Sequence, residues 1–156
     1  VECGGILVSP ERVTPFQEAL ERFHTAYGEF LVICNRIPAE KRELGGVCGV
    51  WSPRQVIAHL AGWQHESARR FHELLRNPQS RRDYDIDVFN AQSVAERADW
   101  SWEQTLADFK AAYLEMQNAI ADLMIASPPD WGEFAFWLQA LGDDFVEHGR
   151  QLMAWV

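Results

Sequence analysis

Trp51-Ser52-Pro53-Arg54-Gln55-Val56-Ile57-Ala58-His59-Leu60-Ala61-Gly62-Trp63 is the stretch from which the fold can be read. Ser52, followed by proline and three residues on by glutamine, is a helix start. The hydroxyl suits the Gln55 amide, the Gln55 side chain can reach back, and Pro53 falls where no amide hydrogen is needed. Val56, His59, Leu60 and Trp63 then recur at three- and four-residue spacing, and Phe71 and Leu74 prolong the stripe toward Asn77-Pro78, where the helix ends.

The same grammar extends outward in both directions. Thr14-Pro15-Phe16-Gln17 opens a helix running to about Ile37, with Phe16, Leu20, Phe23, Tyr27, Leu31 and Cys34 on one face and Pro38 closing it. Ser101-Trp102-Glu103-Gln104 opens another, carrying Leu106, Phe109, Tyr113, Met116, Ile120 and Leu123. A fourth follows Ser127-Pro128-Pro129-Asp130 and carries Phe134, Trp137, Leu138, Leu141, Phe145, Leu152 and Trp155. No segment shows sustained strand alternation. A Gly-rich loop fills residues 38–51, and the long connection 78–100 has room for a short extra helix within Tyr84–Ala98. Four amphipathic helices with one long crossover predict an all-α four-helix bundle, a single domain spanning 1–156.

Composition narrows the function. The chain has 156 residues with 14 Lys+Arg against 23 Asp+Glu, a net charge of −9. A chain of this length buries about 70% of its unfolded surface, so its core needs no metal or disulfide staple. The acidic balance argues against nucleic acid, whose affinity comes largely from Lys and Arg on phosphate, and against an anionic membrane surface. Seven Trp and nine Phe argue against disorder. No apolar run is long enough to span a bilayer. Cys3, Cys34 and Cys48 are odd in number and lack CxxC spacing, which indicates neither a disulfide framework nor a zinc knuckle. The chain begins at Val1, which leaves room for a trimmed targeting segment; the expected location is the cytoplasm.

Polar groups on faces that packing would make apolar point to function. Measured from His59, Trp63 lies at about 40°, Glu66 at about −20° and Leu60 at about 100° around the helix. His59 therefore sits on the shoulder of the buried stripe with Glu66 and Arg70 on its side, while His65 and His72 fall on the opposite face, expected in solvent. On the last helix, measured from Asp144, His148 lies at about 40°, Leu141 at about 60°, and Trp137 and Trp155 at about 20°. Asp144 and His148 are thus one turn apart inside the inward stripe. A carboxylate there is costly unless paired or bound to a cation, and an i, i+4 pair can chelate one ion. The plainer alternatives are a hydrogen-bonded Asp–His couple at a helix end and a satisfied core histidine at position 59.

The Trp51–Trp63 stretch resembles the DinB/YfiT-like superfamily of four-helix bundles, in which a pattern of this kind marks the second helix and its metal-binding histidine. Phe89-Asn90, Arg97 and Ser101-Trp102-Glu103 before an apolar helix resemble its ClbS/DfsB-like branch, and the likeness covers nearly the whole chain. The resemblance implies an up-down-down-up bundle and, in many members, a divalent metal held by the second-helix His, here His59, and by an HxxxH pair on the last helix. That pair reads Asp144-Phe145-Val146-Glu147-His148 here, with Asp in place of the first His. Two His and one carboxylate remain a competent set for Zn or Ni.

An ion held by three side chains keeps open positions and lowers the pKa of bound water toward ~7. The expected activity is then a metal-dependent hydrolase or thiol transferase acting on a small electrophilic molecule, of a detoxifying or self-protective kind. Glu66 is the candidate carboxylate to orient a metal ligand or act as general base, with pairing to Arg70 as its alternative. Trp51, Trp63 and Trp137 would wall the cavity or else fill core, and the resemblance places Tyr84, Phe89 and Asn90 at its mouth. Two competing readings are a metal-free bundle that binds or sequesters a small ligand without turnover, and a homodimer that buries exposed apolar residues.

Overall fold

The computed structural model describes residues 14–156; Val1 and Cys3 lie outside the described residues. Five α-helices follow one another: α1 (Pro15–Asn35), α2 (Pro53–Arg76), α3 (Ile86–Ala95), α4 (Trp102–Ala126) and α5 (Gly132–Trp155). A short 3₁₀ turn, Ala39–Lys41, lies between α1 and α2. Each of α1, α2 and α4 begins with the reciprocal capping pair read from the sequence, Thr14 with Gln17, Ser52 with Gln55 and Ser101 with Gln104. In α3 the Asp85 carboxylate accepts from the Val88 amide at 3.1 Å. Ser127 ends α4 in the left-handed region at φ 43°.

Side-chain pairings give the path. Along α2, His65 meets Asp108 and Glu115, while the later His72 meets the later Asp122, so α2 and α4 run parallel. Arg22 pairs with Asp143, and further on Ile33 abuts Gly149, so α1 and α5 are parallel too. Tyr27 stacks on Tyr113 and the later Phe30 packs on the earlier Phe109, so α1 opposes α4. The order is up-down-down-up. Parallel α2 and α4 require the chain to return the length of the bundle, and the crossover carrying α3 does so.

Phe23, Phe30, Phe109 and Phe145 fill the centre, each fully buried and worth about 1.5–3 kcal/mol of transfer free energy. Burial on α2 is wider than its stripe, taking in Ile57, Ala58, Ala61, Gln64 and Ser67 as well. The reason is that α2 packs closely against three helices, α3, α4 and α5. Gly62 permits the α3 contact, for a Cβ there would lie 2.2 Å from Ser93 Oγ. Three buried guanidiniums bind the connections to this frame. Arg54 donates to Glu43 and to the Arg97 carbonyl, Arg97 to Asp108 and to the Ser93 carbonyl, and Arg70 to Ser80 and Glu133. Among the described residues no helix is long and apolar enough to cross a membrane.

Candidate functional site

Where α2, α3 and α5 meet, a cavity of about 480 Å³ opens to one side of the bundle. α2 contributes His59 and Trp63, the crossover Tyr84, α3 Ile86 and Asn90, and α5 Phe136, Trp137, Leu141, Asp144 and His148. A larger groove of about 590 Å³ on the outer side of α1 and α5 is lined mostly by polar and charged residues, among them Glu18, Glu21, Arg22 and Glu29, and holds no histidine.

The floor is polar. His59 is 4% exposed and His148 8%. Their rings stand edge to face, centroids 5.0 Å apart, and Trp51 covers the other side of His59 at 5.0 Å. Burial, reinforced by the neighbouring His148, holds the His59 imidazole down to about 4, so it is neutral at physiological pH. Its Nδ1 is buried without a hydrogen-bond partner. His148 Nδ1 lies 2.8 Å from Gln151 Oε1. With that oxygen as acceptor, Nδ1 carries the proton and Nε2 keeps its lone pair. Asp144 is half-buried; burial raises its pKa, His148 counters this and Asp143 adds to it, and no hydrogen bond supports its charged form.

The walls are aromatic. Trp63 stands 5.5 Å from Tyr84 and 6.2 Å from Trp137, and Tyr84 stands 5.6 Å from Trp137, all between ring centroids. Trp63 Nε1 donates to Asn90 Oδ1 at 2.7 Å, which locks α3 against α2 at the cavity edge. Phe89 backs Trp63 at 4.2 Å without lining the space, and Trp51 likewise acts from behind, against His59.

Glu66 requires a correction. It does not line the cavity: Tyr84 donates to it at 2.5 Å and Arg69 forms a close two-pronged ion pair with it. Burial works to raise the Glu66 pKa, but these partners hold it below the usual carboxylate range, the wrong direction for a general base. Its partner is Arg69 rather than Arg70, because Arg70 is drawn inward by Ser80 and Glu133. His65 is also corrected. It is half-buried at the α2–α4 seam, 2.9 Å from Asp108 and 2.7 Å from Glu115, whereas the His72 side chain is 44% exposed beside Asp122.

The donor set can be weighed against a divalent ion. Two imidazoles and a carboxylate share one floor, and the orphaned His59 Nδ1 is what a ligating nitrogen would offer. Yet among the described residues no three His, Cys, Asp or Glu side chains stand together as a metal-binding group. The fold presents an imidazole pair with Asp144 beside it, not a closed three-ligand centre.

Ile86 and Phe136 lie at the cavity without any signal in the sequence. Phe136 falls about 80° off the Asp144 face, on the other side from His148. Ile86 belongs to a helix whose weak periodicity hides its facing.

No family model and no curated protein matches the chain. Its fold is similar to that of an uncharacterised protein from Escherichia coli UTI89 known from a crystal structure, with a TM-score of 0.71, 15% identity, and coverage of 90% of this chain and 91% of that one. The likeness is one of fold.

Proposed function

We propose that the chain takes a small, largely apolar electrophile into the cavity between α2, α3 and α5 and acts on it as a hydrolase or thiol transferase of a detoxifying kind. One observation carries the reading: an aromatic-walled cavity whose polar groups converge on the edge-to-face pair His59 and His148 with Asp144 alongside. His148 serves as the base, since Gln151 orients its ring and Asp144 lies one turn away on the same helix. Water or a thiol gives its proton to His148 Nε2 as its oxygen or sulfur attacks the electrophilic carbon. The bond to the leaving atom breaks with its electron pair, and that atom takes the proton back from His148. Neutral His59 is too weak a base for this step and instead orients the attacking group by hydrogen bonding. The thiol is taken as external, because neither Cys34, whose thiol burial pushes up to about 12, nor Cys48 lines the cavity.

The test uses N-phenyl-1-naphthylamine as a neutral fluorescent probe of the cavity and 4-nitrophenyl acetate, with and without glutathione, as the electrophile. Dye binding together with a rate that falls by about tenfold or more in His148→Ala supports the proposal. Dye binding with equal rates in both proteins reduces the chain to a sequestering bundle, and no dye binding removes the cavity reading altogether.

Dependence on a divalent metal, Zn or Ni, is the second reading, favoured by the unpartnered Nδ1 of His59. Near-stoichiometric metal in the parent, lost in both His59→Ala and Asp144→Ala, would support it. No uptake by protein purified without chelator and soaked with Zn or Ni would end it.

A further inference from the structure

Among the described residues the cavity lining carries no lysine or arginine, and Asp144 is its one carboxylate. The cations that act on Tyr84 are already engaged: Arg69 pairs with Glu66 and Arg70 with Glu133. Among the described residues Asp144 itself has no hydrogen-bond partner, and its neighbour Asp143 is taken by Arg22. A half-buried carboxylate pays a desolvation cost that a cation brought in by a ligand would offset.

The tryptophans divide in the same way. Trp102, Trp155 and Trp100 each carry a side-chain cation, with Arg42 at 4.7 Å, Lys41 at 5.5 Å and Arg97 at 5.4 Å from the ring centroid. Trp63 and Trp137, which wall the cavity with Tyr84, carry none among the described residues. Electron-rich rings sharing one cavity with a lone carboxylate are the chemistry that recognises an organic ammonium.

Resting on the cavity reading above, we infer that the ligand is an organic cation: a small molecule joining an apolar body to an amine or quaternary ammonium, the ammonium seated between Asp144 and the faces of Trp63, Tyr84 and Trp137.

The experiment compares two probes of nearly equal shape, phenyltrimethylammonium and tert-butylbenzene, as competitors of N-phenyl-1-naphthylamine, with chelator present to keep metals out. The cation should displace the dye at a concentration about tenfold or more below that of the neutral isostere. Asp144→Asn should shrink that preference to about twofold, and Glu29→Gln, an exposed surface charge, should leave it intact. Equal displacement by both probes, or a preference that survives Asp144→Asn, overturns the inference and leaves the cavity reading standing. Absence of dye binding overturns both.

Discussion

His59 and His148, on helices that come from distant parts of the chain, stand edge to face with an interplanar angle of 78°. The contact places two buried imidazoles where only one can readily be charged, and burial together with His148 keeps His59 deprotonated.

A pH dependence of stability follows. The His59 pKa is lowered from 6.5 to about 4 on folding, so the unfolded chain binds more protons between those values. Its contribution is fully present above pH 6.5 and is lost as pH falls toward 4, by about 2–3 kcal/mol over the whole window. Thermal unfolding followed between neutral pH and the lower end of that window should show a smaller loss for His59→Gln than for the parent. Equal slopes would contradict a neutral, buried His59.

His65 titrates in the opposite sense. Hydrogen bonding to Asp108 raises its pKa, burial opposes and Glu115 adds to the rise. Stability from this clamp is present below its unfolded value of 6.5 and disappears as pH rises through the folded value. The ring is 28% exposed, so screening limits the effect to about 1 kcal/mol. His65→Gln should lower the Tm at mildly acidic pH and leave it nearly unchanged at alkaline pH.

Glu66 holds the cavity wall through Tyr84. Both Tyr84→Phe and Glu66→Gln should weaken dye binding a few-fold, since each loosens one hydrogen bond worth about 1 kcal/mol or somewhat more. The maximal rate on 4-nitrophenyl acetate should stay within about twofold of the parent in both. A collapse of that rate in Glu66→Gln alone would return the carboxylate to the reaction.

Gly62 tests how α3 is seated. Alanine gains about 1 kcal/mol of helix propensity over glycine, but a Cβ 2.2 Å from Ser93 Oγ must push α3 away. Such overpacking costs about 1–3 kcal/mol, so the clash wins and Gly62→Ala should be destabilising. Displacing α3 also moves Asn90 from Trp63, so dye affinity should fall with it. Adding Ser93→Gly to Gly62→Ala should restore most of the dye affinity, which a purely local helix defect would not allow.

Much of the architecture was legible before any coordinates. Ser52-Pro53-Arg54-Gln55 and its two counterparts start helices through bonds that span three residues, and the apolar stripes repeat within a turn or two, so neither needs tertiary information. The same short-range geometry set Asp144 and His148 one turn apart on an inward stripe and His59 on the shoulder of another. Trp63 and Trp137 were legible as aromatic candidates by position, though not whether they would fill core or line a space.

Only the tertiary structure decided which long side chains answer each other. Arg70 turns to Glu133, sixty-three residues away, and this frees Glu66 for Arg69 and Tyr84. Ser93 meets Gly62, bringing Asn90 to Trp63, and Phe136 and Ile86 reach the cavity from positions with no inward periodicity. The difference is physical: capping and periodicity are fixed by neighbours along one helix, whereas flexible arginines and carboxylates take their partners from whichever helix the packing sets beside them. The sign of the cavity is of this second kind, since a chain can be acidic overall and still not show which carboxylate it keeps unpaired.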